Sequence, residues 1–441
     1  MIARGLYWLI THLVAPFIAA LDAWRALGDP AQQGRVRERL GWTQARVGPG
    51  AIWVHAVSVG EVQAAAVLVH ELEARDPGVP LLVTTVTATG AARARALFGD
   101  RVAQAYLPYD LPGAVRRFLD RARPAVAVMM ETEVWPVLYR ELARRGVPLV
   151  IASARLSQRS MRGYARVPGL IRGALASNVI VCAQTEADAA RFRALGVPSA
   201  RVQVTGNVKF DQSVPDEARA RGRDWRARHA PGRPVWVAGS TREGEESAVL
   251  EAHQVVRARH PGALLVLAPR HPQRFATVRS MLESRGVAHA VRSAADAPGA
   301  ADPVYLLDTL GELQAFYAAA DLAFVGGSLV PVGGHSLLEP ASLGLPLISG
   351  PHVQNAPDVA ALLAGVGALE TVPDAAALAD AVSRGFGDPA NARARGERGR
   401  EAVAANRGAV GRAAERVATL VSRPDARPPA AAVPSASSGS R

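Results

Sequence analysis

Short apolar runs alternate with amphipathic stretches along most of the chain, a pattern typical of strands and helices in turn. Ala- and Arg-rich stretches such as 62–75 and 187–195 predict helices. The apolar runs predict two series of strands, the first at 52–57, 81–86, 125–130, 148–152, 178–183 and 202–205, the second at 235–238, 264–268, 304–307, 322–325 and 346–349. Wholly apolar strands between helices favour parallel sheets covered on both faces. We therefore predict an α/β protein with two doubly wound domains and a linker near 212–230.

The N-terminal segment 5–21 is apolar and carries no formal charge. The next arginines in the chain are Arg25, Arg35, Arg37 and Arg39. Seventeen residues are at the short limit for a membrane span. A tilted or interfacial anchor, with Tyr7, Trp8 and Trp24 near the lipid headgroups, fits this pattern. A helix buried in a hydrophobic core is the alternative.

Charge and cysteine content limit the classes of partner and compartment. The 441 residues contain 51 Lys plus Arg and 39 Asp plus Glu, a formal net charge of +12, and Lys209 is the only lysine. The excess of positive charge favours an anionic partner. Nucleic acid, an acidic membrane surface and a phosphorylated substrate all fit. The single cysteine, Cys182, excludes an intramolecular disulfide and a cysteine-based zinc site, as expected in a reducing compartment.

Polar residues follow the strands of the first series. Ser58 and Glu61 fit a helix capping box, or Glu61 is a general base beside a bound ligand. The threonine-rich run 84–90 fits a turn with a helix cap or a polar ligand site. Glu131 and Glu133 fit a solvated loop, but the carboxyl ends of parallel strands share one edge, which favours a functional site there.

The second series carries candidates for anion binding. Ser240 and Glu243 fit another capping box, and Arg270 follows a strand where it can bind an anion through two hydrogen bonds. The glycine-rich loop, residues 326–339, lies between a strand and a helix and predicts a backbone cradle for phosphate. For Glu339 the alternative is a capping box with Ser336.

Three motifs are absent from the sequence. A Walker A motif, a Gly-x-Gly-x-x-Gly turn and an Asp-x-Asp pair do not occur at the required places. Their absence disfavours phosphate-loop NTPases, dinucleotide enzymes and metal-dependent single-sheet sugar transferases. A metal-independent reaction with a phosphorylated leaving group remains.

The ordered motifs of this chain resemble those of the Kdo transferases, which add 3-deoxy-D-manno-octulosonic acid (Kdo) to the lipid A precursor. The match reaches about residue 420 and is carried by motifs at 53–61, 130–136, 154–157, 206–211, 269–272, 326–328, 333–335 and 350–352. The resemblance implies a GT-B glycosyltransferase with two Rossmann-like domains and its active site in the cleft between them. It also implies CMP-Kdo as donor, lipid IVA as acceptor, no metal or other cofactor, and a location on the cytoplasmic face of the inner membrane.

The patterns along the chain give domain limits, and the resemblance implies residue roles. We expect an anchor at 1–24, an acceptor-binding domain at 25–213, a CMP-sugar-binding domain at 214–422 and a disordered tail at 423–441. Glu61 corresponds to the general base of an inverting transfer, and Glu131 and Lys209 to the pair that stabilises the transition state. The residues expected to contact CMP are Pro269, Arg270, Leu310, Gly311, Glu312, Ser336, Leu337, Leu338 and Glu339. Ser336 stands where the family commonly has asparagine.

Two other functions compete with this interpretation. A GT-B transferase or epimerase could use a UDP-sugar, and preference for a UDP-linked donor would distinguish it. An RNA-binding protein could use the positive charge, but the arginines are dispersed and no RNA-binding aromatic signature is present.

Overall fold

The computed structural model describes residues 2–27, 35–45, 47–175, 178–295 and 297–421, so the predicted tail at 423–441 lies outside the described residues. The chain divides into two compact units. The first contains the described residues up to Asp211 and those from Arg407 onward, and the second is Gln212–Asn406.

The first unit is built on a parallel sheet of seven strands within the described ranges, in the order β3-β2-β1-β4-β5-β6-β7. The strands are β1 (Ala51–His55), β2 (Leu81–Thr85), β3 (Ala103–Tyr106), β4 (Pro124–Met130), β5 (Leu149–Ala154), β6 (Val179–Ala183) and β7 (Val202–Val204). Alternate residues of β1 face opposite cores, because Trp53 packs in one buried cluster and Val54 in the other. The strand order reverses between β1 and β4, the position where doubly wound sheets bind ligands.

Helices cover both faces of this sheet. They are α1 (Ile2–Leu27), α2 (Arg35–Arg39), α3 (Val59–Arg75), α4 (Ala88–Phe98), α5 (Pro112–Ala122), α6 (Pro136–Arg144), α7 (Gln158–Ala165), α8 (Pro168–Leu175) and α9 (Glu186–Ala194).

The second unit repeats the plan, with seven described parallel strands in the order β10-β11-β9-β8-β12-β13-β14. The strands are β8 (Val235–Thr241), β9 (Leu264–Pro269), β10 (His289–Val291), β11 (Val304–Leu306), β12 (Leu322–Val325), β13 (Leu347–Ser349) and β14 (Leu369–Thr371). The helices are α10 (Asp216–His229), α11 (Glu245–Arg259), α12 (Phe275–Ser284), α13 (Leu313–Ala319), α14 (Leu338–Ser342), α15 (Pro357–Gly365), α16 (Ala375–Gly387) and α17 (Pro389–Ala405). The two Rossmann-like domains of the predicted GT-B type are thereby confirmed.

All the predicted strands form, but the sequence pattern missed β3, β10 and β14. These three lie at sheet edges, where a strand has one neighbour instead of two and needs a less continuous apolar run. The boundary between the two units falls at Asp211 and Gln212, where the linker near 212–230 was predicted to begin, but most of that segment is helical and belongs to the second unit. Residues Asp216–His229 form α10, whose apolar content is low because it buries only Ala218 and Gly222 fully.

The two ends of the described chain both belong to the first unit. Helix α1 is long and apolar enough to cross a membrane, and its large apolar side chains, Leu9, Leu13 and Phe17 among them, are exposed. A buried core helix is therefore the wrong alternative for this segment. The last described helix, α18 (Ala409–Val421), packs against α3 and β4 of the first sheet. The sequence had grouped it with the second domain.

Candidate functional site

Glu61 lies in the first turn of α3, directly after β1. Its Oε2 accepts a hydrogen bond from the Val57 backbone N–H at 2.9 Å, and the Ser58 hydroxyl lies 3.4 Å from Oε1. Ser58 caps no helix amide, and Glu61 accepts from the N–H of Val57 and not from that of the N-cap Ser58, so the predicted capping box does not form. Burial raises the pKa of Glu61, and the negative charge of Glu131 raises it further. A carboxylate with a raised pKa is better suited to accept a proton near neutral pH.

Glu131 and Lys209 form an ion pair at the end of β4. The Lys209 Nζ donates to Glu131 Oε1 at 2.7 Å, and the two side chains are 31% and 25% exposed. Glu131 has a φ of +56°, a left-handed backbone conformation that costs free energy for any residue with a Cβ. The structure thus brings together three residues that the sequence assigned to catalysis, with Glu61 and Glu131 on either side of the strand-order reversal.

Ser153 supports the turn that carries Lys209. This buried residue of β5 also has a positive φ, +52°, and its hydroxyl accepts hydrogen bonds from Gln184 Nε2 at 3.1 Å and from the Val208 N–H at 3.3 Å. Asn207 Oδ1 accepts from the Lys209 N–H at 2.9 Å. The sequence analysis missed Ser153, because a serine within an apolar run carries no pattern that reveals its backbone conformation.

Glu133 is the third carboxylate of the cluster. Burial, followed by the negative charge of Glu61, raises its pKa from 4.5 to about 7. Two carboxylates that repel each other in a partly buried site cannot both ionise freely. The ionised form of Glu61 therefore disfavours ionisation of Glu133.

The threonines at the end of β2 and in the turn that follows it make structural hydrogen bonds. Thr84 is fully buried and accepts a hydrogen bond from Trp53 Nε1 at 2.8 Å. Thr87 caps α4 by accepting from the Gly90 N–H at 3.0 Å. The helix cap expected as the ordinary interpretation is thus confirmed at Thr87, whereas Thr84 lies within β2.

In the second unit, Arg270 lies in a group of basic side chains after β9. Its backbone N–H donates to the Thr241 carbonyl at 3.0 Å, and its guanidinium is exposed. Burial and then the positive charges of Arg270, Arg242 and His271 lower the pKa of His335 to about 4. Arg242 also hydrogen-bonds His271. The group consists of two permanent cations beside a neutral histidine, and an anionic ligand suits it electrostatically.

The glycine-rich loop differs from the predicted phosphate cradle. The buried carboxylate of Glu245 accepts hydrogen bonds from the N–H groups of Gly327, Ser328 and Leu329 at 2.6, 2.9 and 2.8 Å. It also accepts from the Arg242 N–H at 2.9 Å. These loop amides are engaged by a protein carboxylate, so the cradle prediction is wrong for them. Glu245, and not an external anion, binds these loop amides.

Glu245 was missed because acidic residues in a first helical turn are usually solvated and interact with the helix dipole. The neighbouring capping-box prediction is wrong as well. Ser240 belongs to β8 with a φ of +57°, and α11 starts at Glu245 with Gly244 as its N-cap.

The other expected CMP contacts fall into two groups. In the first, Glu312 is paired through two hydrogen bonds with Arg292, at 3.0 and 2.8 Å, and these lower the pKa of Glu312. Leu310 is 65% exposed, and Gly311 has a φ of +82° that favours glycine. This segment presents backbone and an apolar side chain to solvent, while its carboxylate is already bound.

The second group lies at the start of α14. Ser336 is exposed, whereas Leu337 and Leu338 are buried. Burial raises the pKa of Glu339, and the charge of Arg270 lowers it, so Glu339 and Arg270 are near each other. Leu337 is the N-cap of α14 and no side chain caps it, so the Ser336–Glu339 capping box is wrong. Pro269, the last residue of β9, lies at the same carboxyl-terminal edge.

Comparisons with known proteins identify relatives over nearly the whole chain. The family model described as 3-deoxy-D-manno-octulosonic-acid transferase (kdotransferase) matches residues 34–212. A 3-deoxy-D-manno-octulosonic acid transferase of Haemophilus influenzae is 36% identical over 412 residues, which cover 93% of this chain and 96% of that protein. The enzyme of the same name from Bordetella pertussis is 41% identical over 427 residues, covering 93% and 97%.

Solved structures give the fold. The UDP-GlcNAc 2-epimerase of Neisseria meningitidis bound to UDP-GlcNAc is similar with a TM-score of 0.53 and 13% identity, covering 84% of this chain and 99% of that one. HepE of Anabaena in complex with UDP and glucose gives a TM-score of 0.53 at 14% identity, covering 85% and 100%. At these identities the similarity concerns the GT-B fold alone.

Proposed function

Because the chain belongs to the 3-deoxy-D-manno-octulosonic acid transferase family, and is thus a glycosyltransferase, we propose that it transfers Kdo from CMP-Kdo to the lipid A precursor lipid IVA. We further propose that the transfer inverts the anomeric centre without a metal, with Glu61 as general base. The observation that supports this mechanism best is the carboxylate cluster at the strand-order reversal, where Glu61 has a raised pKa next to the Glu131–Lys209 pair.

In the proposed step, a hydroxyl oxygen of the acceptor attacks the anomeric carbon of Kdo. The bond from this carbon to the phosphate oxygen of CMP breaks, CMP leaves with the bonding electrons, and Glu61 takes the hydroxyl proton. Positive charge builds up on the sugar, and the carboxylate of Glu131, held by Lys209, stabilises it as carboxylates do in glycoside hydrolysis. Attack opposite to the leaving group gives inversion.

The leaving phosphate is assigned to the second unit. Arg270 and Arg242 supply fixed positive charge, and neutral His335 supplies a hydrogen-bonding group near them. Metal independence rests on the absence of an Asp-x-Asp pair from the sequence, with arginines in the charge-neutralising role.

The direct test is to incubate the full chain with CMP-Kdo and tetra-acylated lipid IVA, with and without EDTA, and to read product masses. We expect Kdo-containing lipid and CMP in equal molar amounts in both samples. No transfer, or transfer only from a UDP-linked sugar, contradicts the donor assignment, and EDTA inhibition contradicts metal independence.

The proposed location is the cytoplasmic face of the inner membrane, with α1 as anchor. Deleting residues 1–24 also removes Asp22, which lies buried between Arg35 and Arg39 at 3.6 and 3.2 Å. Substituting only the exposed residues Leu9, Leu13 and Phe17 by serine leaves that ion pair intact. We expect this variant to lose binding to vesicles and to keep its thermal midpoint; unchanged vesicle binding contradicts the anchor.

A further inference from the structure

Helix α7 and its C-cap residue carry three arginines on one face. Arg159, Arg162 and Arg166 follow each other at intervals of three and four residues, so they are neighbours on the helix surface. All three are exposed, and none has an ion pair or a hydrogen bond through its side chain within the described part of the chain. Like charges at this spacing destabilise a helix. A bound anion would offset this repulsion.

The arginine face, residues 159, 162 and 166, lies beside the carboxylate cluster. Helix α7 begins shortly after β5, and β5 pairs with β4, the strand that ends next to Glu131. Tyr164, near the C-terminal end of α7, is half-buried on the side of the helix opposite the three arginines. Burial and then the charge of Glu133 raise the pKa of its phenol. Helix α7 therefore lies at the sheet edge that carries the carboxylates and presents its arginines to solvent there.

Helix α1 is fixed to the same edge of the sheet. The Tyr7 hydroxyl donates to Asp110 Oδ2 at 2.6 Å, and the Asp110 carboxylate accepts from the N–H groups of Val137 and Leu138 at 3.0 and 2.8 Å. These two residues begin α6, directly after the loop with Glu133. Helix α1 also packs against α8, which follows α7 in the chain. An exposed apolar helix and an exposed basic helix therefore flank the carboxylates.

We propose that Arg159, Arg162 and Arg166 bind a phosphate group of the glycolipid acceptor, while its acyl chains lie along the exposed face of α1. Guanidinium groups match phosphate oxygens through paired hydrogen bonds, and an amphiphile needs both kinds of surface at once. Helix α7 follows β5 at the carboxyl-terminal edge of the sheet, next to the strand that ends before Glu131, and this position favours the acceptor over bulk anionic phospholipid. This inference rests on the proposed function for the nature of the acceptor.

The test compares two acceptors in nonionic micelles, lipid IVA with its phosphates and the same lipid after phosphatase treatment. Their binding to the full chain is measured without donor, so it is independent of sugar transfer. We expect wild type to prefer the phosphorylated lipid at least about tenfold, as several charged hydrogen bonds would give. The variant R159Q/R162Q/R166Q is expected to lose this preference, and R159K/R162K/R166K to regain part of it.

The matched control is R223Q/R393Q/R398Q, which removes three exposed arginines of the second unit and so changes the net charge equally. It should keep the preference. The proposal is overturned if the α7 glutamine variant retains the preference, or if it weakens both acceptors equally. Loss of binding to anionic phospholipid vesicles with the micellar preference unchanged also overturns it and assigns the arginines to the bulk membrane surface. Absence of Kdo transfer by wild type, with the preference intact, contradicts only the proposed function.

Discussion

Lys209 Nζ and Glu131 Oε1 lie 2.7 Å apart although 78 positions separate the two residues in the chain. The only lysine of the sequence is held by a turn that Ser153 supports, and Glu131 is held in a left-handed backbone conformation. Two unfavourable φ values, at Glu131 and Ser153, flank this one contact. Strain of this kind is kept where the surrounding structure enforces it, commonly at functional sites.

The ion pair should matter for transfer much more than for stability. We expect K209M and E131Q each to lower kcat/KM by about 100-fold, as for loss of one charge-stabilising group, and the double variant to be little worse than either. A partly exposed pair contributes at most about 1 kcal/mol to folding. Transfer kinetics and chemical denaturation check this. The control is the R101M variant, which breaks the surface ion pair with Glu73. If the losses of kcat/KM in K209M and E131Q multiply in the double variant, the joint role of the pair is contradicted.

The substitution Glu61→Gln distinguishes a structural role of Glu61, as hydrogen-bond acceptor for Val57, from a role as general base. The amide oxygen can still accept from the Val57 N–H, so we expect an unchanged thermal midpoint and CMP affinity. Transfer should fall at least about 100-fold, because an amide cannot accept the proton. The assay uses saturating donor and acceptor, with E71Q on the exposed surface of α3 as control. Near wild-type transfer by E61Q would move the search for the base to Glu131 or Glu133.

Glu133→Gln should change the pH dependence. Its pKa is raised on folding from 4.5 to about 7, so its contribution to stability is complete below pH 4.5 and is lost as pH rises through 7. Between pH 4.5 and about 7, the free energy of unfolding of the variant should therefore fall less with rising pH than that of wild type. The negative charge that raises the pKa of Glu61 is that of Glu131, so the acid limb of kcat/KM should stay at its wild-type position. Urea denaturation across this pH range measures the stability, and a pH dependence equal to that of wild type would contradict the raised pKa of Glu133.

Arg270→Ala should weaken CMP binding. The loss of a charged hydrogen bond to phosphate costs about 2 kcal/mol, or roughly 30-fold in Kd. Calorimetry with CMP measures it, and R279A removes an exposed arginine of α12 as the control. Equal CMP affinity in R270A and wild type would place the phosphate elsewhere.

Glu245→Ala should destabilise the second unit. Four backbone N–H groups lose their acceptor, and each buried donor without a partner costs about 1 to 3 kcal/mol. Glu245→Gln keeps one oxygen and should lose less. Urea denaturation should rank wild type above the glutamine variant and that above the alanine variant. The exposed Glu251 of α11, replaced by alanine, should behave as wild type; a similar result for E245A would contradict the structural role.

Central strands and motif residues could be predicted from the sequence because apolar runs and strand ends are local properties. Glu61 and Glu131 were proposed as site residues in this way, and Lys209 through the family resemblance. Glu245 could not be found, since its partners are 82 to 84 positions away and its burial depends on the loop that it binds. The phosphate cradle failed for the same reason: glycines indicate a close approach, but they do not identify the group that approaches.

Helix α18 makes the first unit discontinuous in the chain. Its residues Ala409, Ala413 and Val417 are fully buried in the same core as Val62 of α3, yet the whole of Gln212–Asn406 is synthesised between them. Domains generally fold as units while the chain emerges from the ribosome. The second unit has all its residues before α18 is made, so we expect it to complete its core before the first unit does. The buried core against which α3, the helix of Glu61, packs is therefore complete only after α18 has been synthesised.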